Sequence, residues 1–133
     1  MSDGSPHRLV IAGVPRAGKT TAAEKFGELR QGDPIRHTDD LIADFEWSAA
    51  SLEVSRWFDE PGPWLIEGVA TVRALRKWLA AHPTGTPCDG ILWLDKPREQ
   101  LTPGQTTLAK GCRTVLEGIR EELERRGVEI LEL

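Results

Sequence analysis

Five short apolar runs, each bounded by turn-forming residues, organise the pattern of hydrophobic and polar positions along the chain. They cover residues 9–12, 34–38, 64–67, 91–94 and 128–131. Between them, apolar residues recur at helical spacing over residues 19–30, over 40–58 as one helix or two, over 71–81 and over 103–126. Strands that alternate with helices predict crossover connections and a parallel sheet.

The runs at 9–12 and 91–94 are continuously apolar rather than alternating, which indicates strands buried on both faces. The expected fold class is therefore α/β, a three-layer sandwich with helices on both faces of a five-stranded parallel sheet. A length of 133 residues suits a single domain over residues 1–133. The Pro- and Gly-rich segments 60–63 and 82–87 are predicted to be loops within it.

The composition of the chain indicates where in the cell the protein is expected. No apolar run approaches the roughly 18 residues of a membrane-spanning helix, so no membrane association is expected. Residues 1–6 lack the apolar segment of a secretory signal. The two cysteines, Cys88 and Cys112, lack metal-binding spacing, which predicts reduced thiols and a cytoplasmic location.

The net charge of −4 provides no overall basic field for nucleic acid, although a local basic face stays open. Arg120, Arg125 and Arg126 are interleaved with glutamates and predict a solvated helix face with charge pairs four residues apart.

The segment after the first apolar run has the most specific chemistry in the chain. It consists of Gly13, Val14, Pro15, Arg16, Ala17, Gly18, Lys19 and Thr20, followed by Thr21. A glycine, four residues and Gly-Lys-Thr between a strand and a helix match the P-loop, whose backbone amides cradle phosphates. In such a loop Lys19 reaches the β- and γ-phosphates and the Thr20 hydroxyl ligates Mg²⁺. These residues predict that the chain binds ATP with Mg²⁺. Arg16 either adds charge near the phosphates or is an ordinary exposed arginine.

Acidic residues follow three of the other predicted strands. Ligands bind at the carboxyl ends of strands in open parallel sheets, so these acids are expected near the P-loop. Glu67 is the predicted second magnesium ligand, directly or through water, and its alternative role is to cap the next helix. Asp95 is expected only to end a strand.

The pair Asp39 and Asp40 suggests a general base. A phosphoryl acceptor hydroxyl must give its proton to a carboxylate within hydrogen-bonding reach. Asp39 is the preferred candidate, with Asp40 as the helix cap, although the opposite assignment stays open. His37 is expected to be a structural or surface residue.

With the P-loop, Thr38-Asp39-Asp40-Leu41 and Glu67-Gly68 in place, the chain resembles the small P-loop kinases of nucleosides, nucleotides and other small metabolites. That resemblance implies the strand order 2-3-1-4-5 and transfer of the γ-phosphate of ATP to an acceptor hydroxyl. A narrower resemblance, to phage and prophage P-loop kinases that include the 5-hydroxymethyl-deoxyuridine DNA kinases, rests on residues 64–70, 73–78, 101–105 and 109–111. It implies a modified DNA acceptor and, for a phage-encoded protein, the host cytoplasm.

The chain departs from nucleotide monophosphate kinases because it has no long arginine-rich lid. The cations placed to substitute for a lid are Lys96, Arg98, Lys110 and Arg113. Lys110 and Arg113, three apart on a predicted helix, are the preferred catalytic pair. Trp47 and Trp57 either stack on a substrate base or belong to the core.

Two other classes of function stay open: a nucleotide-driven switch or ATPase, and a regulatory module without turnover. No hydrolytic Gln or Asn is evident near the site, and the Asn-Lys-x-Asp element of a GTPase is absent from the sequence. Phosphoryl transfer is the preferred hypothesis.

Overall fold

The computed structural model describes residues 8–29, 34–42 and 47–132. In chain order the elements are β1 Arg8–Gly13, α1 Lys19–Leu29, β2 Ile35–His37, α2 Asp39–Ile42, α3 Trp47–Trp57, β3 Trp64–Glu67, α4 Thr71–Ala81, β4 Gly90–Leu94, α5 Pro103–Arg125 and β5 Glu129–Glu132. The predicted elements are therefore present. The stretch predicted as one helix or two over 40–58 forms two helices, α2 and α3, and residues 43–46 lie outside the described part.

The strands form one sheet in the order β2-β3-β1-β4-β5, and every neighbouring pair is parallel. The strand order implied by the resemblance is thereby confirmed. Because all strands run the same way, their carboxyl ends lie along one edge of the sheet. At that edge the P-loop follows β1, Thr38 follows β2, Gly68 follows β3 and Asp95 follows β4. That edge is where the sequence placed its candidate residues.

The helices cover both faces of the sheet. Right-handed crossovers put α1, which connects β1 to β2, on one face and the later helices on the other, because the chain reverses its direction across the sheet. The contacts agree: α1 packs on β1, β2 and β3, whereas α3 packs on α4 and α4 packs on α5. The three-layer arrangement leaves the start of α1 facing the carboxyl ends of β2 and β3.

The core is formed mainly by the central strands. Residues 9–12 of β1 and every residue of β3 and β4 are buried, as the continuous apolar runs predicted. The edge strands differ: β2 is half-buried throughout, and β5 is largely exposed, with Leu131 at 58%. Across the described ranges 8–29, 34–42 and 47–132, no helix combines the length and apolarity needed to cross a membrane.

Candidate functional site

The phosphate loop begins where β1 and β4 come closest together. The Val14 amide donates to the Leu94 carbonyl at 3.1 Å, and a Cβ added to Gly13 would lie 2.5 Å from that same oxygen. A glycine is required at this position because any side chain would collide with the backbone of β4. The first helical hydrogen bond of α1, from the Ala22 amide to the Gly18 carbonyl at 2.9 Å, follows directly. A tight turn thus connects a buried strand to a helix start.

Lys19 is held inside this turn. Its side chain folds back so that Nζ donates to the Val14 carbonyl at 2.6 Å, and the residue is only 7% exposed. Burial lowers the pKa of Lys19 below its usual range, while the negative charges of Glu67 and Asp39 oppose that shift. The ammonium is therefore a desolvated cation beside two carboxylates, at the start of the helix.

Glu67 lies at the end of β3 and faces the first turn of α1. The Thr20 hydroxyl donates to its Oε2 at 3.0 Å, and His37 Nδ1 lies 3.2 Å from Oε1. The alternative role of Glu67 as a helix cap does not occur, because Ala70 precedes α4 and makes no side-chain cap hydrogen bond. A carboxylate that is 1% exposed is thus held between a helix and a neighbouring strand.

Gly68 allows β2 and β3 to converge beside this carboxylate. Its φ is +138°, and a Cβ added there would lie 1.8 Å from the Thr38 hydroxyl oxygen. Thr38 is fully buried, and its hydroxyl has no hydrogen-bond partner within the described residues. The segment after β3 and the turn after β2 are consequently in close contact.

Asp39 and Asp40 are both within the first turn of α2, which begins at Asp39 itself. The expectation that one aspartate caps this helix from outside is therefore wrong, since the position before it belongs to Thr38. Asp39 is exposed, and its charge acts on Lys19. The side chain of Asp40 lies outside the described residues.

The segment after β4 that contains Arg98 and Glu99 lies over the phosphate loop. The Arg98 amide donates to the Arg16 carbonyl at 2.7 Å, and Arg16, with φ +60°, contacts the side chains of Glu99 and Gln105. The guanidinium of Arg98 lies against Gly18, so that a Cβ added to Gly18 would meet its Cζ at 2.7 Å. Arg16 is thus paired with side chains that follow β4, while the guanidinium of Arg98 lies against Gly18.

The preferred cation pair on α5 is placed differently. Arg113 Nε donates to Asp95 Oδ1 at 2.8 Å, and its Nη2 donates to the Asp95 carbonyl at 3.2 Å. Lys110 is exposed on the same helix. Asp95 follows the last residue of β4, as expected, and fixes Arg113 to that strand end.

Arg73 on α4 contacts Cys112 on α5. Its Nη1 donates to Cys112 Sγ at 3.9 Å, and Cys112 donates to the Val69 carbonyl at 3.7 Å. Burial raises the pKa of the Cys112 thiol, and the charges of Arg73, Lys19 and Arg113 oppose that rise. Arg73 belongs to residues 73–78 of the narrower resemblance, but nothing in the sequence indicates that it lies beside Cys112.

The tryptophans described in full are core residues. Trp57, Trp64, Trp78 and Trp93 are each at most 7% exposed. The core interpretation of Trp57 is confirmed, although Arg36 also lies over its ring at 3.9 Å. The side chain of Trp47 lies outside the described residues.

The donor set fits a magnesium–nucleotide site. No three His, Cys, Asp or Glu side chains cluster as a metal site in the described part of the chain. Magnesium at nucleotide sites takes one or two protein oxygens, and phosphates and water supply the rest. The Thr20 hydroxyl and the Glu67 carboxylate, 3.0 Å apart at a helix start, provide such oxygens next to Lys19.

No protein-family model matches the chain, and no curated protein sequence matches it. Solved structures do match. The shikimate kinase from Acinetobacter baumannii, in complex with shikimate, has a TM-score of 0.51 at 18% identity over 95% of this chain and 83% of that one. A possible uridine kinase from Bacillus stearothermophilus has a TM-score of 0.48 at 16% identity over 98% and 91%.

The likeness to shikimate kinase shows that this chain shares the fold of that structure. The match to shikimate kinase gives no support to the narrower resemblance to DNA kinases of phages, because shikimate kinase is not a kinase of that type.

Proposed function

We propose that this protein is an ATP-dependent phosphotransferase that moves the γ-phosphate of ATP to a hydroxyl group of a small metabolite. The observation that supports the proposal most directly is the convergence of Lys19, Thr20 and Glu67 at the end of β1 and β3, with Asp39 close enough to act on Lys19. A phosphate-binding cation, two magnesium ligands and a candidate base are the parts that phosphoryl transfer requires.

In this proposal Lys19 leaves the Val14 carbonyl and binds the β- and γ-phosphates of ATP. The residues from Gly13 to Thr21 surround the triphosphate, with Thr20 and Glu67 as magnesium ligands. Bound magnesium would neutralise charge that develops on the phosphate oxygens. Lys19 is already desolvated, so its attraction to phosphate is stronger than that of an exposed lysine.

Asp39 is the proposed base. The acceptor oxygen attacks the γ-phosphorus, the bond from that phosphorus to the β–γ bridging oxygen breaks, and Asp39 takes the proton of the acceptor hydroxyl. The products are ADP and a phosphate ester. Asp40, one residue further along α2, is the alternative base.

Arg98 is the proposed cation over the transferring phosphoryl group. Its guanidinium already lies against Gly18, whereas that of Arg113 is bound to Asp95. Arg98 is therefore proposed to stabilise phosphoryl charge in place of a long lid, and Lys110 and Arg113 on α5 are the alternative cations for that role.

A small acceptor is preferred to DNA. The net charge of −4 disfavours a polyanion. The structurally similar shikimate kinase carries the name of a small-metabolite kinase. DNA containing 5-hydroxymethyl-deoxyuridine is the alternative acceptor, and a direct assay distinguishes the two.

The assay incubates the protein with γ-labelled ATP, magnesium and separate acceptors: nucleosides including uridine, nucleotides, shikimate, and hydroxymethylated DNA. Label in a small acceptor, lost in Lys19→Ala and kept in Lys25→Ala, is the expected result. Lys25 is a matched control because it is exposed on α1, one and a half turns beyond the loop. Label in DNA alone would overturn the small-acceptor assignment, and label only in inorganic phosphate would overturn the transferase assignment.

A further inference from the structure

His37 and Glu67 are side by side because of the sheet register. In the parallel pairing of β2 with β3, His37 is the Cα partner of Glu67. Register partners on adjacent strands point to the same face of a sheet. Glu67 faces α1, where it meets Thr20. His37 is therefore on the α1 face too, next to the carboxylate.

The two oxygens of Glu67 have different neighbours. Oε2 accepts from the Thr20 hydroxyl at 3.0 Å, and Oε1 lies 3.2 Å from His37 Nδ1. A buried carboxylate is costly unless both oxygens are paired. With a side-chain exposure of only 2%, Glu67 depends on such neighbours.

From this arrangement we infer that His37 is a positioning residue for the magnesium site: its Nδ1–H holds Oε1 of Glu67 and thereby directs Oε2 toward Thr20 and the metal. The inference rests on the proposed function in that it assumes that Thr20 and Glu67 bind the metal of MgATP. His37 itself contacts neither the metal nor the nucleotide.

The physical reason is the rotational freedom of the Glu67 carboxylate. Without a partner on Oε1, the carboxylate turns about its last bond, and Oε2 spends less time in the orientation that binds the metal. Hydrogen bonds from residues behind a metal ligand typically contribute about 10- to 100-fold to metal affinity or activity. The half-exposed position of His37, 33% for its side chain, lets the ring be replaced without opening the core.

Three substitutions separate the Nδ1 donor from the bulk of the ring. In His37→Asn the side-chain amide nitrogen occupies nearly the position of Nδ1, in His37→Gln it is one bond farther out, and in His37→Ala no donor remains. Arg36→Ala is the matched control: Arg36 is on the same edge strand at similar side-chain exposure, 37%, but pairs with Glu60. Thermal denaturation of each variant verifies that it folds.

The affinity for ATP is measured by calorimetric titration at a series of magnesium concentrations, and in chelator for the metal-free reference. The quantity compared between variants is the magnesium concentration at which the affinity reaches half of its value at saturating magnesium. We expect His37→Ala and His37→Gln to raise this concentration about 10- to 100-fold. His37→Asn and Arg36→Ala are expected to stay within about threefold of the original protein, and metal-free ATP affinity should be unchanged in all variants.

The inference is overturned if a folded His37→Ala protein keeps the original magnesium dependence. It is equally overturned if His37→Asn behaves like His37→Ala, or if metal-free ATP binding weakens as much as MgATP binding. Because the readout is binding, it does not depend on phosphate transfer. A protein that transfers no phosphate but shows the expected magnesium shifts would refute the proposed function and leave this inference standing.

Discussion

The hydroxyl of Thr20 and the carboxylate of Glu67, 47 positions apart in the chain, form a hydrogen bond of 3.0 Å between the start of α1 and the end of β3. The bond joins the phosphate loop to the strand next to it. It also pairs the two oxygen-bearing side chains that we propose as magnesium ligands.

This pair should behave as one unit. Thr20→Ala and Glu67→Gln are each expected to lower the rate of phosphate transfer by roughly 100-fold, because the first removes a metal ligand and the second removes the negative charge of the other ligand. The double variant should lose little more than the worse single variant, since residues that act together are not additive. Thr20→Ser, which keeps the hydroxyl, is the control. Additive losses in steady-state kinetics would indicate that the two residues act separately.

Arg98 is expected to matter more for transfer than for ATP affinity. Arg98→Ala removes the guanidinium that lies against Gly18 and should lower kcat by about 100-fold, with a smaller change in the KM for ATP. Lys96→Ala, an exposed cation in the same segment, should be nearly neutral. If Lys110→Ala or Lys96→Ala reduced kcat more than Arg98→Ala, the cation would be wrongly assigned.

Two glycines should respond to alanine in opposite directions. Gly68→Ala is expected to lower the free energy of unfolding by about 2 to 4 kcal/mol, because φ is +138° and the new Cβ would collide with Thr38. Gly118→Ala is expected to raise it by about 0.5 to 1 kcal/mol, because Gly118 is helical and its Cβ would meet nothing within 4 Å. Urea denaturation measures both. Equal effects would contradict the close approach of Thr38 to Gly68.

Both cysteines should resist alkylation in the native protein. Cys88 and Cys112 are fully buried, and burial raises the pKa of each thiol above its ordinary value. A raised pKa leaves less thiolate at a given pH, so the rate with iodoacetamide at pH 8 should be at least about tenfold below that of the unfolded chain. Mass spectrometry after timed quenching reports each site. Alkylation of the native protein at the unfolded rate would contradict the burial of these thiols.

Much of the fold could be predicted from the sequence because its evidence is local. The buried strands β1 and β4 appear as continuous apolar runs, and the phosphate loop has fixed spacing. The edge strand β5 is also predicted, although its largely exposed pattern carries less information. The strand order came from the resemblance, since periodicity alone does not reveal which strands are neighbours.

The parts of the site that escaped prediction depend on contacts between distant segments. Arg98 is only one of four candidate cations in the sequence, and its position against Gly18 depends on the backbone bond from its amide to Arg16. His37 could be assigned beside Glu67 only once the register of β2 on β3 was known. The capping of α2 was mispredicted because a shift of one residue at a helix start cannot be determined from composition.

The most direct test of the central claim follows one turnover of γ-labelled ATP, with the acceptor that the panel identifies, in the original protein and in Asp39→Asn. The expected result is label in a phosphate ester of the acceptor for the original protein. Asp39→Asn should bind ATP with unchanged affinity and transfer label at least about 100-fold more slowly, since the proton acceptor is lost. Full transfer by Asp39→Asn would contradict the proposed base. Release of label only as inorganic phosphate by the original protein would contradict phosphotransferase activity itself.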